Sequence, residues 1–280
     1  MTKTDEDGAE AFRAFEVSGW EAQAQAYHRF FSSITTRVID SLLDAAGVGP
    51  DSRVLDVACG PGYVAAACAA RGADVVGVDV AREMVGLARR HHPHIRFEQA
   101  DAEQLPFDDD AFQAVVGSFA ILHLARPERA AAELARVLAP GGALALSTWD
   151  APDRCRLLGL FVDAVAEVGA EPPADVPSGP PFFRFSDDEQ FASLLQAAAL
   201  VEVRVQTVAF AVRLPSAAAL WEGLLEGTVR TRAMVLGQPE ATRRRIRAAF
   251  EDLASQHQVE GGLDVPVSVK VASGRAPAPG

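Results

Sequence analysis

Between Arg53 and Trp149, short runs rich in Val, Leu, Ile and Phe alternate with helical segments, and this alternation limits the possible folds more tightly than anything else in the chain. The candidate strands are 53–57, 74–79, 95–99, 112–118 and 143–148, separated by helical stretches near 63–70, 81–91 and 127–138. Strands joined through helices run parallel, and a parallel sheet needs helices on both faces. The expected fold is therefore α/β, with a doubly wound, mostly parallel sheet.

The flanks add helical material. From Glu10 to Ala46, Trp20, Tyr27, Phe30, Phe31, Ile34 and Val38 recur at three- and four-residue steps, as on one face of a helix, until "GVGPDS" breaks the pattern. Proline and glycine density at 170–181 marks a loop. Immediately after it, Ser186 followed by Glu189 reads as a capping box that opens a helix. Two β-rich segments, 201–212 and 264–273, are separated by some forty mostly helical residues. The expected organisation is a helical N-terminal lid over 1–47, an α/β core over 48–213, a helical cap insertion over 214–262, the last core strand over 263–273 and a disordered tail over 274–280.

Composition excludes several classes of function. The net charge of −12 opposes binding to a phosphate backbone, so no nucleic-acid partner is expected. The single basic run, "RRRIR" at 243–247, reads as the solvated face of a helix. Hydrophobic residues make up 49% of the chain, enough to build a core, yet no uninterrupted apolar run reaches membrane-spanning length. Cys59, Cys68 and Cys155 form neither an even framework nor a CxxC pair. The acidic N-terminus has no apolar leader segment. Together these features lead us to expect a soluble cytoplasmic protein without disulfides or a membrane partner; the oligomeric state is left open.

The chemistry concentrates in "RVLDVACGPGYVAAACAARGADVVGVD", residues 53–79. A strand ends near Asp56, a turn carries Gly60 and Gly62, and a helix begins near Tyr63, so backbone N–H groups converge on one spot. Glycine permits positive φ and close approach of a ligand to the backbone. The next strand ends at Asp79, 79 − 56 = 23 residues on, close to the ~20 expected for an acid that holds a ribose diol. Gly60-x-Gly62-x-x-Ala65 alone would pass as a dinucleotide fingerprint. Asp56, however, would repel a pyrophosphate and could neutralise the ammonium of an amino-acid moiety, so a zwitterionic nucleoside fits better than NAD.

"VLDVACGPG" resembles the first motif of class I S-adenosylmethionine-dependent methyltransferases, an acidic residue followed by three alternating glycines. Ala58 replaces the first of these glycines, a substitution that suits a residue of negative φ. The resemblance continues through "VVGVDVAREMVGLARR", "FEQADAEQLPFDDDAF" and "RVLAPGGALALSTW", covering about residues 50–150. It implies a seven-stranded Rossmann-like methyltransferase fold with S-adenosyl-L-methionine as cofactor. By the same resemblance Asp79 holds the ribose with Val80 beside it, Met84 packs on adenine, and Asp101 and the Ala102 N–H bind the adenine edge. The segment "GSFAILHLARPERA" is similar to the one lining the transferable methyl in the ubiquinone- and menaquinone-pathway branch, which adds Ser118 and Phe119 to the cofactor site and offers His123 as a general base. In similar enzymes the N-terminal arm, here with Trp20, Tyr27 and His28, folds over the cofactor.

The cap, with Trp221, Glu222, Arg230, Arg232 and Met234, offers a wall suited to a small organic acceptor. His91, His92 and His94 lack the carboxylate or cysteine that would complete a ligand set, and no metal site is assigned. The expected function is methylation of a small-molecule substrate at O, N or C by in-line displacement. Two alternatives stand beside it: a nicotinamide-dependent oxidoreductase built on the glycine turn, and a noncatalytic or repurposed S-adenosylmethionine-binding protein.

Overall fold

The central strand of the sheet, β1 (Arg53–Val57), buries Val54, Leu55 and Val57 almost completely, as a strand covered on both faces must. The computed structural model describes residues 3–278; Met1, Thr2, Pro279 and Gly280 lie outside it. In chain order the sequence forms α1 (Lys3–Thr35), α2 (Ile39–Ala45), β1, α3 (Tyr63–Ala70), β2 (Asp74–Asp79), α4 (Arg82–His91), β3 (Arg96–Gln99), β4 (Phe112–Ser118), α5 (Pro127–Arg136) and β5 (Leu138–Trp149). It continues through α6 (Arg156–Val168), α7 (Asp188–Ala197), β6 (Val201–Leu214), α8 (Ala217–Gly227), α9 (Arg230–Leu236), α10 (Glu240–Ser255), β7 (Gln258–Val259) and β8 (Gly262–Arg275).

Seven strands follow the order β3-β2-β1-β4-β5-β8-β6, with β7 paired to β8 off this path. The β1–β2, β1–β4, β2–β3 and β4–β5 pairs are parallel, whereas β8 runs antiparallel to β5. The order reverses at β1, between β2 and β4, so the carboxyl ends of β1, β2 and β4 flank a topological switch point. In such sheets that crevice is where ligands bind. The expected fold class is the one observed.

The chain divides into two compact units, and they cut across the boundaries read from the sequence. One contains residues 35–149, 179–208 and 269–278; its core brings Leu55, Val57 and Val115 of the sheet together with Leu134 of α5 and Phe191, Leu194 and Leu195 of α7. The other contains residues 3–34, 150–178 and 209–268, so the N-terminal helix and the cap helices form a single unit together with α6. Packing explains why α6 belongs there. Its Phe161 meets Trp221 of α8, which in turn packs on Phe250 of α10. A Cβ at Gly223 would overlap the Phe30 ring, so glycine lets α1 and α8 approach closely.

Two local readings are corrected. The last strand continues through Arg275, where it pairs with Ala143, so residues 274 and 275 are ladder rather than tail. The cap of α7 is Asp187, not Ser186: Asp187 Oδ1 accepts from the Gln190 N–H at 2.9 Å, while the Ser186 hydroxyl donates back to the Phe183 carbonyl at 2.7 Å in a short 3-10 turn. Both residue types cap helices well, and the preceding turn decides which is in register. Asp187→Ala should cost about 1 kcal/mol in chemical denaturation, while Glu189→Ala should stay within about 0.5 kcal/mol of wild type.

Candidate cofactor site

Asp56 ends its run of β1 beside Gly77 of β2 and Val116 of β4, deep in the sheet and 1% exposed. Its Oδ2 accepts from the Ala65 N–H at 2.9 Å, inside the first turn of α3, while Oδ1 is buried with no partner. Burial, helped by the negative charge of Asp79, raises the Asp56 pKa to about 8, although the Ala65 N–H pulls it down. At neutral pH the group is mainly protonated, and with Oδ2 already accepting, the proton belongs on Oδ1. A cation delivered to Oδ1 could replace that proton.

The turn between β1 and α3 folds tightly. Gly62 N–H bonds to the Cys59 carbonyl, and Gly62, at φ 87°, is the N-cap of α3. The two glycines do different work. A Cβ at Gly62 would lie 2.8 Å from the Phe97 ring and 3.0 Å from His92, so this glycine serves packing; a Cβ at Gly60, at φ 51°, would meet nothing within 4 Å. The space over Gly60 is the space a ligand can use. Ala58 overturns the expectation of negative φ, because it takes φ 52°, the left-handed conformation that a glycine there would adopt freely.

Asp79 joins the turn to the end of β2. Its Oδ2 accepts from Gly60 N–H and its Oδ1 from Ala81 N–H, each at 2.9 Å. The adjacent Val80 carbonyl accepts from Gln99 Nε2, and Met84 is buried on α4. After β3, the Ala100 N–H donates to the Asp79 carbonyl, Asp101 Oδ1 accepts from Glu103 N–H, and Ala102 is buried. Asp56, Ala58, Gly60, Gly62, Asp79, Val80, Asp101 and Ala102 therefore occupy consecutive carboxyl-end loops of β1, β2 and β3.

Beyond β4, Ser118 pairs with Ser147 of β5, and Phe119 takes φ 54°, which is rare for so bulky a residue. Its ring lies 4.1 Å from Trp149, centroid to centroid. A short 3-10 turn, Ile121–His123, follows, with the His123 ring edge-on to Phe182 at 6.0 Å. The remaining candidates lie in the helical unit and take part in its packing. Trp20 meets Tyr27 edge-on and donates to Glu16; Glu16 pairs with Arg230 at 2.6 Å, and Arg230 also stands over Phe12. Trp221 is interior, and His28 is adjacent to Tyr27 on α1. His91 and His92 are close to Tyr63, and no group of three side chains suited to a metal ion occurs among the described residues.

Three features escaped the sequence. Ser147 and Trp149 sit at the end of β5, and only the β4–β5 register brings them to Ser118 and Phe119. Glu103, 4% exposed, accepts from both the backbone and the guanidinium of Arg126, tying the loop after β3 to the segment before α5. A carboxylate and an arginine 23 residues apart carry no periodic signal.

A methyltransferase domain family matches residues 54–142, the stretch that builds this crevice. Residues 54–142 form a methyltransferase domain. The class I type, with S-adenosylmethionine as cofactor, is what the resemblance of its motifs implies. The demethylmenaquinone methyltransferase of Renibacterium salmoninarum is 40% identical over 111 residues, 40% of this chain and 47% of that protein. The chain spans about half the length of the curated relatives it matches. Among solved structures, the YcgJ protein from Bacillus subtilis aligns at TM-score 0.59 and 20% identity over 87% of this chain and 99% of its own. Phosphoethanolamine N-methyltransferase 2 of Haemonchus contortus, in complex with S-adenosyl-L-methionine, aligns at 0.58 and 18% over 95% and 60%. Both similarities concern the fold. The methyltransferase domain fits its cofactor on the structure's own terms: an unpartnered buried oxygen on Asp56, open space over Gly60 and an acid at the end of β2.

Two outcomes follow. Asp56 binds a proton in the folded state up to about pH 8 but in the unfolded chain only to near 4. Its contribution to stability is therefore complete below pH 4 and is lost as pH rises to about 8. Without ligand, the unfolding free energy from denaturant titrations should fall between pH 5 and 8, and less steeply in Asp56→Asn. Ala58→Gly, which relieves the left-handed alanine, should raise stability by about 1 kcal/mol in the same assay.

Proposed function

We propose that the chain methylates a small organic acceptor at oxygen, nitrogen or carbon, with S-adenosylmethionine as donor. The observation that carries this reading is the buried Asp56 Oδ1, unpartnered beside an open glycine turn. When bound, the cofactor supplies a methyl group activated on a sulfonium. The chain's residues bind and orient. Asp56 neutralises the amino-acid ammonium, directly or through water, and the N-terminal end of α3 favours its carboxylate. Asp79, already aligned by two backbone N–H groups, has lone pairs left for the ribose hydroxyls. Met84 lies against the adenine, whose edge meets Asp101 and the Ala102 N–H. Ser118 and Phe119 border the methyl, and His123 takes a proton where the acceptor has one to lose.

Such a reaction rests on geometry more than on acid–base help. Holding nucleophile and methyl in line can supply ~7–11 kcal/mol, against ~10²–10⁴-fold for a general base. The small acceptor follows from a net charge of −12, which disfavours nucleic acid, and from relatives whose names specify demethylmenaquinone or phosphoethanolamine as substrate. The matched 111 residues cover the cofactor domain, so the acceptor itself is not carried over from those names. No helix among the described residues is long and apolar enough to cross a membrane, and we assign the protein to the cytoplasm.

Titration calorimetry and a labelled-methyl acceptor screen test this directly. Wild type should bind both S-adenosylmethionine and its demethylated product, and Asp79→Ala should weaken that binding by ~1.5–3 kcal/mol. Affinity unchanged in Asp79→Ala would remove the ribose role. His123→Ala should lower turnover on a hydroxyl acceptor ~10²-fold or more while leaving cofactor affinity within twofold.

A further inference from the structure

Phe119 is both a large side chain and left-handed, a pairing that persists only where its surroundings enforce it. The enforcing contacts come from one residue. The Phe119 N–H donates to the carbonyl and to the hydroxyl of Ser147, each at 3.1 Å, and the same hydroxyl lies 3.3 Å from the hydroxyl of Ser118. Ser147 is fully buried on β5, opposite Ser118 in the ladder, with Trp149 two residues on along the same strand face. Ser147 thus touches Ser118, which ends β4, and Phe119, which follows it, while Trp149 closes against the Phe119 ring at 4.1 Å.

The Ser147 hydroxyl joins the two residues into one hydrogen-bonded cluster. Ser147 Oγ accepts from Phe119 N–H and shares a second hydrogen bond with Ser118 Oγ, in which either hydroxyl can donate, so the one side chain fixes the position of both groups. We propose that Ser147 is a positioning residue for methyl transfer: it holds the Ser118 hydroxyl in place and fixes Phe119, backed by Trp149, as a rigid aromatic wall. This rests on the assignment of the β4 end to the cofactor crevice. It predicts a ligand that places a polar atom at Ser118 and an apolar face at Phe119.

The test separates positioning from general support of the fold. In a Trp20→Phe, Trp221→Phe background, Trp149 is the sole tryptophan. There, Ser147→Ala should shift the Trp149 emission and raise its quenching by acrylamide, because Phe119 is no longer held against it. With otherwise native sequence, Ser147→Ala should weaken binding of S-adenosylhomocysteine by roughly 3- to 10-fold. In a Phe119→Gly background, where the left-handed conformation needs no support, the same change should cost a smaller factor, the remainder being the loss of the Ser118 contact. Ser147→Thr, which keeps the hydroxyl, should restore the Trp149 signal. Unchanged Trp149 emission in Ser147→Ala, or equal losses of affinity with and without Phe119, would overturn the proposal. A wild type that binds no S-adenosylhomocysteine would instead overturn the cofactor assignment, and the fluorescence arm would still decide whether Ser147 holds Phe119.

Discussion

A carboxyl group buried at the end of the central strand is the constraint around which the crevice is organised. Asp56 sits where β1 meets both β2 and β4, and the start of α3 is pinned to it through Ala65. Leaving an oxygen of that group without a partner is costly in a folded core, and the cost shows as a pKa raised to about 8. A second acid, Asp79, is held nearby by the same turn through Gly60. Two acids around one glycine turn destabilise the empty site and favour a cationic ligand that can bring a positive charge to Asp56.

The same site stores backbone strain. Ala58 and Phe119 both take left-handed conformations that favour glycine or asparagine, one after β1 and the other after β4, the strands that border the switch point. Residues of this kind concentrate where geometry serves binding more than stability. The parallel sheet affords the rigidity for it: strand ends fixed by ladder hydrogen bonds on both sides cannot relax without loss of register.

Much of this was legible in the sequence, and the limits have physical causes. Strands with a strict apolar pattern, and glycines with conformational demands, announce themselves locally, so the sheet, the turn and the acids at 56, 79 and 101 could all be placed. Relations set by strand register could not. Ser147 and Trp149 look like ordinary positions of a buried strand until β5 is laid beside β4. The partition of the helices was equally hidden, because α6 joins the helical unit through Phe161, Trp221 and Phe250, whose sequence separations carry no period. The Asp187 cap was missed for a subtler reason: Ser186 satisfies the same rule and was diverted by a preceding turn.

Proton release on cofactor binding tests the central claim most directly. Calorimetric titration of S-adenosylmethionine at pH 7, repeated in buffers of different ionisation enthalpy, counts the protons exchanged as the complex forms. If Asp56 is protonated in the free protein and receives the ammonium, close to one proton should leave per cofactor bound, and Asp56→Asn should abolish that release. Tight binding with no proton release in the wild type would contradict the account, in which a protonated Asp56 gives up its proton to meet the cofactor's charge.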